Sequence, residues 1–436
     1  MKFVTTRGEA PPTSLEWALF DGLAPDGSLY VPESIDRWTA QELAALPSYS
    51  LAETGVRVLR PYTSDQIDEA TLGSIVGEAL NFPIPLKEIE PGVHVLELFH
   101  GPTLAFKDIG ARVMARLISA LHDRSAPTSV LVATSGDTGS AVAHAFYRVP
   151  HTRVLVLYPN GRVSPQQQAQ MAMFNAEPDT NVRAYAVAGN FDDCQRLVKA
   201  ASADPDVLGR IRVTSANSIN IGRLLPQMVY YFHAIGQLGS PTRFPEGVVV
   251  STPSGNFGNL TAGLMAKRAG LPIARFIAAT NVNDVVPVYL ATGRFEPRPS
   301  QQTLANAMDV GHPSNFDRML WMYGGLDAMR ADIVGSRHTD DQVKATIRRV
   351  YDAHGYLLDP HSAIGYLGLT TTGVDLQKTP GVFLATAHPA KFHEVVEAII
   401  GQEIEKPAAL ADALARPQHV IHIEASLDAV KELLFA

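Results

Sequence analysis

From residue 128 the chain alternates short β-rich runs with helical segments, and this alternation constrains the fold more than any other feature. "TSVLVAT" (128–134) precedes "GSAVAHAFYRV" (139–149), "TRVLVLYP" (152–159) precedes "SPQQQAQMAMF" (164–174), and "VRAYAVAG" (182–189) precedes "FDDCQRLVKAASA" (191–203). "IRVTSA" (211–216) precedes "IGRLLPQMVYYFHAIGQL" (221–238), and "GVVVSTP" (247–253) precedes "NLTAGLMAKRAG" (259–270). Repeats of this kind are βα units, which assemble into parallel sheets covered by helices. Ligands in such folds sit where the carboxyl ends of strands meet the following turns.

Two stretches break the rhythm. Residues 1 to about 90 are rich in turn formers and are expected to form a separate N-terminal region. Residues 282–338 read as irregular and polar, and a loop that long inside a compact chain is usually functional or mobile. At 436 residues there is length for two or three lobes. A net charge of −8 with no basic block makes nucleic acid and anionic membrane poor partners, while leaving room for a local basic site for a small anion. The single cysteine, Cys194, excludes an intramolecular disulfide, and no apolar run approaches the ~18 residues of a membrane span. A cytoplasmic protein is expected. His419 and His422 fall on opposite faces of the alternating "HVIHIEA", which disfavours a metal site.

Chemistry enters at "LAFKDIGARVMARLISALH" (104–122), which fits a helix at about 100° per residue. Val113, Met114, Leu117, Ile118 and Leu121 form an apolar arc, and Asp108, Arg112, Arg116, Ser119 and Asp123 form the polar one. Lys107 falls in the apolar arc. An ammonium there loses hydration, so it either snorkels from the helix start or serves as a nucleophilic amine in a dry pocket. Two strand-to-helix turns, "TSGDTGS" (134–140) and "PSGNFGN" (253–259), are glycine-rich and suited to anions, although tight turns use the same residues for structural reasons alone. Neither matches an ordinary nucleotide loop. In "NSINIGR" (217–223), Asn217, Ser218 and Arg223 bracket a third junction, readable as a helix cap with a surface arginine or as a fork for phosphate or carboxylate. Together, a lysine in an apolar setting and a phosphate clamp point to pyridoxal 5′-phosphate, an electron sink for carbanions. The remaining anion sites suit an amino acid bearing a distal phosphate.

The motifs "LELFHGPTLAFKD" (96–108), "ATSGDTGSA" (133–141), "GRVSPQQQAQM" (161–171), "SANSINIGRLLPQ" (215–227), "PSGNFGN" (253–259), "NAMDVGHPSNF" (306–316) and "ATAHPAKF" (385–392) resemble, in order, those of the threonine synthase family in its longer bacterial and fungal form. His312 stands where asparagine is expected. The resemblance implies an α/β enzyme of fold type II among pyridoxal-phosphate enzymes, with a catalytic region over 91–436 made of two lobes with parallel-rich sheets, one of them roughly 125–235. It implies Lys107 as the catalytic Schiff-base lysine, and Gly255, Asn256, Phe257, Gly258 and Asn259 as the cradle of the cofactor phosphate. Thr386 would meet the pyridine nitrogen. The turn of Ser135, Gly136, Asp137 and Thr138 would hold the substrate carboxylate, with Asp137 itself turned to the cofactor or to backbone amides, because two carboxylates repel. Asn217, Ser218 and Arg223 would bind the distal phosphate. The implied reaction turns O-phospho-L-homoserine and water into L-threonine and phosphate by γ-elimination and β-addition of water, in a monomer or homodimer. A related lyase such as a serine or threonine dehydratase would need the lysine but no second phosphate site, and a non-catalytic binder of a phosphorylated ligand would need no lysine.

Overall fold

In the computed structural model, which describes residues 1–122, 127–134 and 136–436, the βα units close into two open sheets. The smaller has the order Ile421–Ile423, Val182–Val187, Thr152–Pro159, Thr128–Ala133, Arg212–Ser215, with every neighbour parallel. The larger runs Ile333–Arg337, Ile273–Thr280, Val248–Pro253, Gly381–Ala385, Val93–Glu97, Leu86–Glu90 and is parallel except for its final hairpin pair. Continuous apolar runs are what such strands require, since helices cover both faces. Val130, Leu131, Val132, Val154, Leu155 and Val156 are each fully buried.

Local chemistry fixes the helix starts. Ser164 and Gln167 form a reciprocal capping box at Pro165–Ala172, and Asn190 and Asp193 do so at Phe191–Ala203. The segment expected as one helix over 221–238 divides into Ile221–Leu224, a 3-10 turn Leu225–Gln227 and Met228–Leu238, because Pro226 has no N–H to continue the ladder.

The N-terminal part forms a ribbon, Phe3–Thr5 against Tyr30–Pro32, and helices that pack onto the rest of the chain. Helix Lys107–Leu121 buries Met114, Leu117 and Ile118 almost completely, each contributing about 1.5–3 kcal/mol. Its expected polar arc is not a solvent face. Arg112 donates to the carbonyls of Ala79 and Glu78 (2.8 and 2.7 Å), docking helix Glu69–Ala79, and Asp108 is fully buried.

Segment 282–338 is also more ordered than its composition implies. It holds helices Val285–Thr292, Phe316–Tyr323 and Leu326–Asp332 and the edge strand Ile333–Arg337, so the irregular part shrinks to 293–315. Polar side chains hold that remainder. Asp309 accepts from Thr303 N and Oγ1 and from Asn281 Nδ2 at 2.7–2.9 Å, and burial raises its carboxyl to about 6.

Candidate active site

The carboxyl ends of both sheets face one cavity of about 430 Å³, within the usual range for small-ligand sites of ~300–1,000 Å³. Lys107 lines it as the first residue of its helix. The helix begins three residues later than periodicity implied. Leu104 is left-handed (φ 59°), and Ala105 instead bridges Ala387, with Phe106 N–H donating to Thr386 O at 2.9 Å. These bonds set Lys107 beside Thr386, a cavity-lining residue only 6% exposed. Asp108 folds back over the preceding loop, accepting from Thr103 N (2.8 Å) and Oγ1 (2.7 Å). Gly101 permits this closure, since a Cβ there would lie 2.5 Å from Asp108 Oδ2.

Asp137 opens helix Asp137–Phe146 and turns one carboxylate oxygen toward Lys107, Oδ2 lying 3.9 Å from Nζ. Its Oδ1 accepts from Lys391 Nζ (2.9 Å) and Gln167 Nε2 (3.1 Å), side chains rather than backbone amides. Burial pushes the Asp137 carboxyl up, but Lys391 and Lys107 outweigh it and hold the group well below the ordinary range. Burial lowers Lys107 below the usual lysine value; Asp137 opposes that, while Lys391 and Arg223 add to it. Thr138 also lines the cavity. Gly136 (φ 142°) lies behind the lining, its N–H bonded to Thr134 Oγ1 at 2.9 Å; a Cβ would strike Gln167 at 2.3 Å. Ser135 lies outside the described residues.

At the second turn, Pro253 leads through Gly255 to Phe257, which is left-handed (φ 57°) and starts helix Gly258–Arg268. Free N–H groups at such a start attract anions. The side chains of this turn are spent on the turn itself. Asn259 accepts from Ser254 Oγ (2.6 Å) and donates to Pro253 O (2.9 Å), and Asn256 Nδ2 donates to Ser218 Oγ (2.7 Å). A Cβ on Gly255 would meet Met308 Cα at 2.7 Å, whereas one on Gly258 would make only ordinary 3.5 Å contacts. Residues 255–259 all line the cavity.

Arg223 enters from helix Ile221–Leu224, is 4% exposed and has no ion-pair partner among the described residues. Its Nη1 donates to Ala216 O, its Nε is buried without a partner, and burial lowers it to about 10. Asn217 is held by Ala133, donating to its carbonyl at 2.8 Å. Asn217, Ser218 and Arg223 line the same cavity as Lys107.

Four contributors were not legible as such. Lys391 and Gln167 lie inside recognised motifs, but nothing in the sequence directs them at Asp137. Arg318, fully buried, donates to Tyr30 O (3.0 Å), Asn315 Oδ1 (2.6 Å), Ser218 O (3.2 Å) and Ile219 O, thereby pinning the 217–219 loop to the N-terminal ribbon. His361 accepts from Ala307 N–H at Nε2 (3.3 Å), so its Nδ1 carries the proton facing Asp359 at 2.6 Å, and it supports the cavity wall formed by the 306–312 loop.

A family model described as pyridoxal-phosphate dependent enzyme matches residues 82–386, flanked by a threonine synthase N-terminal model over 2–80 and a threonine synthase C-terminal model over 362–434. Threonine synthase of Escherichia coli (strain K12) is 40% identical over 444 residues, covering 100% of this chain and 99% of that protein. The chain belongs to the threonine synthase family. Threonine synthase of Haemophilus influenzae is 44% identical over 90% of each chain. The crystal structure of PLP-bound threonine synthase from Brucella melitensis matches with a TM-score of 0.92 at 40% identity, covering 100% of this chain and 98% of that one.

The fold is thus the α/β fold of pyridoxal-phosphate enzymes, and pyridoxal 5′-phosphate is the cofactor of the family. The residues present fit it: a lysine of lowered basicity, a glycine turn opening a helix, and a hydroxyl beside the lysine share one cavity.

Proposed function

We propose that this chain converts O-phospho-L-homoserine and water to L-threonine and phosphate, with Lys107 as its catalytic residue. The observation that carries this reading is a buried guanidinium, Arg223, with no ion-pair partner among the described residues and in the same cavity as Lys107. A site for serine or threonine alone has no use for that unpaired guanidinium, whose Nε is left without a hydrogen bond, whereas a distal phosphate would complete it with charge-assisted bonds.

Residues 255–259 would hold the cofactor phosphate, Lys107 the cofactor's carbon end and Thr386 its ring nitrogen. Bound cofactor supplies an electron sink for the pair left when a proton leaves the substrate's α-carbon. The chain's own part is to place and move protons and to exclude water. Lys107 Nζ, uncharged when free, takes the α-proton and carries protons for the later steps. Thr138, on the cavity wall, would meet the substrate carboxylate. Asn217, Ser218 and Arg223 grip the distal phosphate, and Arg318 and Asn315 keep their loop rigid through Ser218 O.

The N-terminal region is assigned to 1–90 and the catalytic region to 91–436. Among the described residues no helix is long and apolar enough to cross a membrane, and we assign the enzyme to the cytoplasm as a monomer or homodimer with no nucleic-acid partner. The test is an assay of cofactor-loaded enzyme with O-phospho-L-homoserine. Equal release of phosphate and L-threonine is expected; release of ammonia and a 2-oxo acid from serine or threonine, with phosphohomoserine untouched, would contradict the reading.

A further inference from the structure

The mechanism leaves Lys391 without a role, yet this ammonium is fully buried and sits at the centre of the lysine site. It reaches there because the chain around it pairs with the segment leading into Lys107: Ala387 bridges Ala105, and His388 N–H donates to Leu104 O at 3.0 Å. Lys391 Nζ then donates to Thr103 O (2.8 Å) and to Asp137 Oδ1 (2.9 Å). Gln167 takes the same carboxylate oxygen. Asp137 is left with Oδ2 toward Lys107, at 3.9 Å, beyond hydrogen-bonding distance.

A lone carboxylate in a dry pocket beside a lysine would hold that lysine as an ammonium, unable to accept a proton. Paired with Lys391, the carboxylate offers Lys107 little net charge. We propose that Lys391 is a positioning residue whose fixed charge occupies Asp137, so that Lys107, one carboxylate oxygen away, works as an uncharged amine. This inference rests on the proposed role of Lys107 as the proton acceptor.

The groups that act on Lys107 come from four elements: Asp137 from its helix, Lys391 from the turn Pro389–Phe392, Arg223 from helix Ile221–Leu224 and Asp359 from the cap of helix Pro360–Thr371. His361 acts on Asp137 from the last of these, and Asp108, the next residue along the lysine's own helix, feels Lys391. Of these, Lys391 alone is bonded to the carboxylate that faces Lys107, with Gln167 as a neutral second donor.

The experiment compares holoenzymes of wild type, Lys391→Met, Lys391→Arg and the double variant Lys391→Met/Asp137→Asn. It records the pH dependence of kcat on O-phospho-L-homoserine and the pH titration of the bound cofactor's visible absorbance. Freed from Lys391, Asp137 stabilises the protonated amine, so in Lys391→Met the acidic limb of kcat moves upward by about 1–3 pH units, the range for an opposite charge within ~4–6 Å. The visible titration moves in the same direction. Lys391→Arg keeps the charge and keeps the limb near its wild-type position, and the double variant, lacking both charges, returns toward it.

If Lys391→Met does not fold, Asp137→Asn gives the converse reading: Lys107 then faces Lys391 unopposed and the limb moves downward. A kcat that falls equally at every pH, with limb and titration unmoved, would overturn the inference and reduce Lys391 to a prop for Thr103. An unmoved limb in Asp137→Asn would overturn it too. Failure of the functional reading is separately visible, because wild type would then show no turnover of phosphohomoserine and hence no limb to displace.

Discussion

The two ends of the cavity proposed to hold the cofactor phosphate and the distal phosphate are built on opposite principles. The 253–259 end contains no cationic side chain; glycine, a left-handed phenylalanine and the start of an eleven-residue helix present backbone N–H groups, and Asn259 locks the turn through Ser254 and Pro253. The 217–223 end instead carries a buried guanidinium with one nitrogen unpartnered. Backbone groups cannot rotate away and suit an anion that stays. A side-chain fork with open bonding capacity suits one that arrives and departs with each turnover. Lys107 lines the same cavity as both ends, and in the proposed reaction its proton chemistry joins them.

The largest expected effect comes from removing the residue common to both ends. Lys107→Ala should abolish turnover and eliminate the borohydride-reducible link to the cofactor, while far-ultraviolet circular dichroism stays unchanged, since the Asp137–Lys391 pair remains intact. A link retained at another lysine would break the assignment.

At the backbone end the two glycines should differ. Gly255→Ala forces its Cβ against the Met308 backbone and should weaken cofactor binding at least tenfold, a loss of about 1.4 kcal/mol by affinity arithmetic. Gly258→Ala, whose Cβ meets nothing closer than 3.5 Å, should weaken it several-fold at most. The sequence pattern treats the two as equivalent members of one motif. Equilibrium cofactor titration that reversed this order would break the description of the cradle.

The smallest effect concerns Asp108, which braces the lysine loop. Burial raises its carboxyl to about 6, despite the bonds from Thr103. A carboxyl raised on folding binds its proton more tightly in the native state, so its contribution to stability is greatest at low pH and is lost as pH rises toward about 6. The stability difference between wild type and Asp108→Asn, measured by denaturant unfolding, should therefore favour wild type more at pH 4.5 than at pH 7. A difference that is flat or of opposite slope would contradict the burial of this carboxylate.

Much of this arrangement could be read from the chain alone, because parallel strands buried on both faces leave uninterrupted apolar runs. Thr152–Pro159 and Phe191–Ala203 match their sequence-based limits to the residue. The motif residues from Lys107 to Thr386 line one cavity, except Gly136 behind the wall and Ser135, which is not described. What escaped reading depends on non-local partners. Asp108 looked solvent-facing because a helical wheel cannot show the Thr103 loop folded over it. The strand Ile421–Ile423 completes the smaller sheet beside Val182–Val187, a pairing across more than 230 residues that alternation does not specify. Lys391 and Arg318 carry charges that composition assigns to the surface, yet both are fully buried, satisfied by groups far away in sequence.

The contrast between the two ends is tested most directly with Arg223→Ala and two ligands that differ at the distal phosphate. For O-phospho-L-homoserine, kcat/KM should fall by roughly 30-fold to several thousand-fold, the equivalent of about 2–5 kcal/mol for truncating one partner of a buried charge pair. Arg223→Lys should recover part of it. Binding of L-threonine, followed through the change in the cofactor's visible absorbance, should stay within about twofold of wild type, because that ligand has no group to reach the guanidinium. Equal losses for both ligands would contradict the account and make Arg223 a structural residue.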